Sequence, residues 1–232
     1  MKNPFRDLTK FELGLWLTSV VVVSLSYAIS GAGDVLTVIS SLIGVTALIF
    51  VAKGYVLGQV LSLVFAVFYG TVSFFFGYYG EMITYLGMTA PSALASVISW
   101  LRHPYKDTKE VAVNKISSKL WLLGGGLTIA ITVAFYFILS ALGNKNLIFS
   151  TISITTSFFA SYLTYLRSPF YAIAYSLNDI VLIVLWILAT IEKTSYFPMI
   201  ICFVMFLVND LYGYYNWQRI KSKQNGGNYG HN

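Results

Sequence analysis

Eight stretches of this chain run for about twenty residues with almost no charge, the length a helix needs to cross a bilayer. They are Phe11–Ile29, Val35–Val51, Val56–Phe76, Met82–Leu101, Leu120–Leu142, Leu147–Leu166, Phe170–Ile191 and Phe197–Trp217. In hydrocarbon every backbone N–H and C=O must be paired, so continuous apolar runs of this length read as spanning helices. A membrane barrel would instead show alternating segments of about 10 residues, and these runs do not alternate. Composition excludes the soluble alternatives. The chain is 57% hydrophobic and 10% charged, against about 45–50% and about 25% in soluble domains. Disorder shows the opposite balance. The single cysteine, Cys202, excludes a disulfide framework and a multi-thiolate metal site, and it reads as a packing residue. The expected fold class is an all-α polytopic membrane protein with eight transmembrane helices.

Charge sets the expected orientation. With the N-terminus in the cytoplasm, inside segments hold Lys2, Arg6, Lys10, Lys53, Arg102, Lys106, Lys109, Lys115, Lys119, Arg167, Arg219, Lys221 and Lys223. Outside segments hold only Lys145 and Lys193. Such asymmetry is the positive-inside signal, and it places both termini in the cytoplasm. The net charge of +6 is thereby a topology signal, and no nucleic-acid partner is expected. The basic loop Arg102–Lys119 would meet anionic membrane lipids. The first run, ending in Ala28-Ile29-Ser30-Gly31, reads either as a cleaved signal or as a retained anchor, and a polytopic remainder favours the anchor. The Gly- and Asn-rich tail, Gln224 to Asn232, is expected to be disordered.

The chain also repeats itself. A basic residue, Lys53 or Arg167, opens a helical pair, and a tryptophan, Trp100 or Trp217, closes it on the same side. With the preceding helix, each pair becomes a three-helix unit. Three is odd, so one linking helix is needed to keep the units parallel. The expected layout is one N-terminal helix followed by 3+1+3. Boundaries fall at residues 1–33 (N-terminal segment and first helix), 34–101 (first unit), 102–145 (basic loop and linking helix), 146–218 (second unit) and 219–232 (tail). Parallel repeats of this kind are a transporter architecture with substrate bound between them near the midplane.

Polar residues inside the spans mark the candidate site. In the seventh helix Tyr171, Tyr175, Asn178, Asp179 and Trp186 share one face at helical spacing. A carboxylate such as Asp179 costs at least about 2.5–3.5 kcal/mol within a membrane and should face the bundle interior. The eighth helix carries Asn209 and Asp210. Two readings stay open for these pairs: hydrogen bonds that hold helices together, or contact with a polar, cationic substrate in a cavity. Asp210 has a third option, meeting Arg219. Gln59 and Tyr69 in the third helix, and Tyr85 and Thr89 in the fourth, join the candidates. The serine stripe Ser92, Ser96, Ser99 reads as helix packing. Glu81 is either solvated at the outer surface or part of a vestibule. Tyrosine rings beside amides and a carboxylate suit a flat cationic heterocycle better than a simple ion. Catalytic constellations are absent: His103 and His231 have no metal-ligand partners at helical spacing, and there is no phosphate-binding loop. Neither an enzyme nor a cofactor or metal site is expected.

These segments together resemble the PnuC family of bacterial vitamin transporters. The resemblance rests on Val51-Ala52-Lys53-Gly54, on Tyr78-Tyr79-Gly80-Glu81-Met82 with Pro91 and Trp100, on Leu166-Arg167-Ser168-Pro169 with Asn178-Asp179, and on Gly213-Tyr214-Tyr215-Asn216-Trp217. Family members carry tryptophans near the start of the seventh helix, where this chain has Tyr171 and Tyr175. The resemblance implies a SWEET-like fold and a homo-oligomer, a trimer. It implies facilitated diffusion of nicotinamide riboside by alternating access, with trapping by cytoplasmic phosphorylation. On that implication Tyr171, Tyr175 and Tyr69 stack on the ring, Gln59 and Asn178 bind ribose hydroxyls, and Asp179 offsets the ring's charge. The alternatives are another vitamin such as thiamine, proton coupling through Asp179 or Asp210, and a non-transporting membrane scaffold.

Overall fold

The computed structural model describes residues 3–31, 35–75, 79–144 and 146–226, except the side chain of Val72. Lys2, Tyr78, Lys145, His231 and the last six residues of the tail lie outside the described residues. Among the described residues, eight helices are long and apolar enough to cross a membrane. They are α1 (Lys10–Ser30), α2 (Val35–Ala52), α3 (Val56–Phe75), α4 (Tyr79–Arg102), α5 (Ser118–Ala141), α6 (Leu147–Tyr165), α7 (Tyr171–Glu192) and α8 (Phe197–Gly226). No strand occurs among the described residues. Bulky apolar side chains such as Leu122, Phe137 and Ile148 stay exposed on the outer surface, as a lipid-facing wall requires.

Local chemistry explains the irregular points. Thr9 and Glu12 form a reciprocal capping box that starts α1. Within α4, Tyr85–Thr89 widens into a π-helical turn just ahead of Pro91. A proline cannot donate to the carbonyl four residues back and its ring crowds that carbonyl; the wider turn makes room for it. Gly54 and Arg167, which follow α2 and α6, both take left-handed backbone conformations, at φ 69° and 57°. Glycine does so without steric cost, whereas arginine must be held there by its surroundings.

Six helices form a ring in the order α2, α3, α4, α6, α7, α8, which closes back on α2. The third helix of each unit therefore packs on the first helix of the other. At the end of the bundle carrying the N-terminal segment and the basic loop, this exchange is reciprocal to the atom. Trp100 Nε1 donates to Thr164 O at 2.9 Å and Ser99 Oγ to Tyr165 O at 2.7 Å. Trp217 Nε1 donates to Val51 O at 2.9 Å and Asn216 Nδ2 to Ala52 O at 2.9 Å. Both indoles are fully buried, with ring centroids 5.4 Å apart.

The basic loop lies across this end. Val111 N donates to Gly54 O and Asn114 N to Arg167 O, so one loop ties both left-handed turns. Arg167 is fixed there by donating to Ala112 O and to Ser99 Oγ. The sequence-based expectation of disorder from Gln224 is corrected here for residues 224–226. α8 continues to Gly226, because buried Gln224 donates to Val111 O and accepts from Val113 N. α1 packs outside the ring on α2 and α8. Its Glu12 is buried, paired with Lys53 at 2.9 Å, and accepts from Tyr212 at 2.9 Å. α5 packs mainly on α6.

Candidate functional site

A cavity runs inside the six-helix ring. At one end its lining includes Gly80, Glu81 and Asn144; at the other it reaches Val51, Thr164 and Tyr171, beside the two tryptophans. Gln59, Tyr85, Thr89, Tyr171, Tyr175, Asn178, Asp179 and Asp210 all line it. Eight of the residues singled out from sequence are thus brought together, from α3, α4, α7 and α8.

Two are not. Tyr69 stands behind the lining, with its ring 4.5 Å from that of Tyr85 and 5.7 Å from Phe65. Asn209 faces the opposite way: its Nδ2 donates to Ser19 Oγ of α1 and to Met205 O. Asp210, the next residue, is turned about 100° from it and lines the cavity. Asp210 does not meet Arg219, whose guanidinium lies 5.8 Å over the Tyr215 ring.

The two buried acids face each other. Asp179 and Asp210 are each 3% exposed, and their carboxyl groups come within hydrogen-bonding reach. Asp179 Oδ2 has no hydrogen-bond partner. Asp179 thus meets Asp210 of α8 while keeping one oxygen free towards the cavity. Asn178 does tie helices: its Oδ1 accepts from Ser153 and Thr156 of α6, at 3.1 and 2.9 Å. That leaves its NH2 as the group available to a solute. The Tyr175 hydroxyl bonds Ser161 at 2.9 Å, while the Tyr171 hydroxyl is buried and unpartnered beside Gly213. Tyr171 sits edge-on to Trp217, at 5.1 Å and 71°.

The sequence reading missed most of one wall. Ser150, Ser153, Ser157, Ser161 and Thr164 form a hydroxyl stripe on α6 that lines the cavity. Their spacing of 3, 4, 4 and 3 residues is the signal that marks them. Ser92 and Ser96 also line the cavity rather than serving only as packing, and Ser99 belongs to the tryptophan clasp. Trp186 lines it from the face of α7 shared with Asp179, and Glu81 lines the end opposite the tryptophans. Among the described residues, no Lys, Arg or His lines the cavity. No group of three metal-ligating side chains occurs among the described residues.

A family model described as nicotinamide mononucleotide transporter matches residues 34–219. The chain belongs to this family. The family is one of transporters, not enzymes, and this member is a multi-pass membrane protein. The match spans the six-helix ring and α5 and begins just before α2. Among curated proteins, the nicotinamide riboside transporter PnuC of Neisseria mucosa is 25% identical over 228 residues, covering 96% of this chain and 86% of that protein. The nicotinamide riboside transporter PnuC of Haemophilus influenzae is 24% identical over 217 residues, covering 93% and 92%. A crystal structure of the vitamin B3 transporter PnuC superposes with a TM-score of 0.78 at 24% identity, covering 94% of each chain. That likeness shows the shared fold.

Proposed function

We propose that this chain imports nicotinamide riboside across the bacterial cytoplasmic membrane by facilitated diffusion. The names of both curated relatives support the riboside, whereas the family description speaks of its mononucleotide. The observation that carries our choice is the cavity's charge: Glu81, Asp179 and Asp210 line it, and among the described residues no Lys, Arg or His does. A phosphomonoester brings about −1.5 to −2 charges at pH 7 and calls for Arg or Lys partners. The riboside is instead a pyridinium cation. Asp179 Oδ2, buried and unpartnered, is the acceptor that balances it. Tyr85, Tyr175 and Trp186 supply ring faces, and Gln59 and the Asn178 NH2 bind the sugar hydroxyls. Tyr85 takes the stacking place that the resemblance gave to Tyr69.

In this reading the basic end is cytoplasmic, and the tryptophan clasp is the closed inner gate. Breaking the four reciprocal bonds lets the two units rock apart and the solute leave. The homo-oligomer implied by the family resemblance is carried in this reading as a trimer, checked by cross-linking in native membranes.

The test is uptake of labelled riboside into right-side-out vesicles without ATP or an ion gradient. Excess unlabelled riboside should compete and the mononucleotide should not. Competition by the mononucleotide at equal concentration would reverse the assignment, and competition by thiamine alone would move it to another vitamin. Absence of any vitamin uptake or thermal shift would favour a scaffold. The closeness of Asp179 and Asp210 supports a second reading, because two interacting carboxyl groups bind protons as one unit. Loss of accumulation on adding a protonophore would select proton coupling.

A further inference from the structure

One acid of the cavity makes none of the solute contacts assigned above. Glu81 stands in the first turn of α4, half-buried, at the end of the cavity away from the tryptophans. Asn144 and Ser150 line the cavity with it. The Tyr69 hydroxyl lies within hydrogen-bonding reach of its carboxylate. Tyr69 packs on Tyr85, and Tyr85 stands within electrostatic reach of both Glu81 and Asp179. The cavity therefore holds carboxyl groups at two levels with an aromatic ring between them.

A bond to Tyr69 alone would not ask for an acid, since a neutral glutamine accepts from a phenol equally well. An ionised carboxylate partly removed from water is costly unless something positive joins it. Among the described residues no Lys, Arg or His lines the cavity to do so.

We infer that Glu81 is a specificity-determining residue, the outer carboxylate that selects a cationic ring before it passes over Tyr85 to Asp179 and Asp210. The inference deepens the transport reading and rests on it. Tyr69 positions the carboxylate, and the ring face of Tyr85, which attracts cations within about 6 Å, bridges the two levels.

Glu81→Gln tests this, because it keeps the volume and the Tyr69 bond and removes only the charge. Affinity is measured by calorimetry for two probes, nicotinamide riboside and its neutral 1,4-dihydropyridine form. Glu81→Gln should weaken the cation about tenfold, as expected for a bond to a charged group, and change the neutral form less than about twofold. Initial uptake of the cation by the parent protein should fall as salt rises, with a flatter dependence in the variant. A variant that keeps the parent's preference for the cation over the neutral form overturns the inference. Glu81→Asp retains the charge and should retain the preference; its loss there, to the same extent as in Glu81→Gln, would assign Glu81 to packing. Asp179→Asn is run in parallel. If it weakens the cation and Glu81→Gln does not, the transport reading stands and this inference fails alone. If the parent binds neither probe, both fall together.

Discussion

Removing the two indole N–H donors should open the inner gate without dismantling the bundle. Trp100→Phe and Trp217→Phe each keep an aromatic ring at a fully buried site and delete one 2.9 Å bond to a main-chain carbonyl. A hydrogen bond of this kind contributes about 1 kcal/mol net, so each single change should raise the inward-open fraction about fivefold. Independent losses would multiply to about thirtyfold in the double variant. The rings sit 5.4 Å apart, and residues in contact couple by about 0.5–3 kcal/mol, so the double effect will depart from the product. The assay uses Ser157→Cys, a cavity-lining position on α6, with Cys202, the chain's single native cysteine, replaced by Ser. An impermeant maleimide is applied to inside-out vesicles and the labelling rate is followed. The rate should scale with the open fraction. A double variant that labels at the parent rate while melting at the parent temperature would refute the gate.

Asp179→Asn should lower riboside affinity by about tenfold to a hundredfold, the loss expected for a bond to a charged group; calorimetry checks this, and unchanged affinity would remove Asp179 from the site. Gly44→Ala should destabilise the bundle by about 1–3 kcal/mol, because a Cβ there would stand 2.5 Å from Phe206 Cζ; the measurement is thermal melting in detergent. Glu12→Gln and Lys53→Met should each lower the melting temperature, with the double variant less affected than the sum. Their coupling should be about 1–3 kcal/mol, since each single change strands a partner of the 2.9 Å ion pair; additive losses would show that the pair contributes nothing.

The helices were legible in the sequence because hydrocarbon admits few alternatives to a continuous apolar helix. The cavity was legible where a residue type is costly in a membrane, as with Asp179 and Asp210. It was not legible where residues are cheap everywhere. Serine and threonine can satisfy themselves on the carbonyl four residues back, as Thr164 does on Ala160 O, so the same stripe serves packing or a wet wall. Asn209 and Asp210 differ only in which neighbour each meets, and Ser19 lies 190 residues away from Asn209. Nothing in the local sequence marks Glu12 as an ion-pair member, because its partners Lys53 and Tyr212 are 41 and 200 residues distant. The helical tail through Gln224 depends on a loop 111 residues earlier in the chain.

Each three-helix unit carries its donors on its third helix and its acceptors at the end of its first. A surface that holds both halves of a contact is self-complementary, the property that lets identical subunits pair about a two-fold axis. Two copies of one such unit, inserted in the same direction, would close both clasps on each other. The acceptors are main-chain carbonyls, which no substitution deletes. The donors alone are under mutational control, so either half can drift at its acceptor positions without losing its hold on the other.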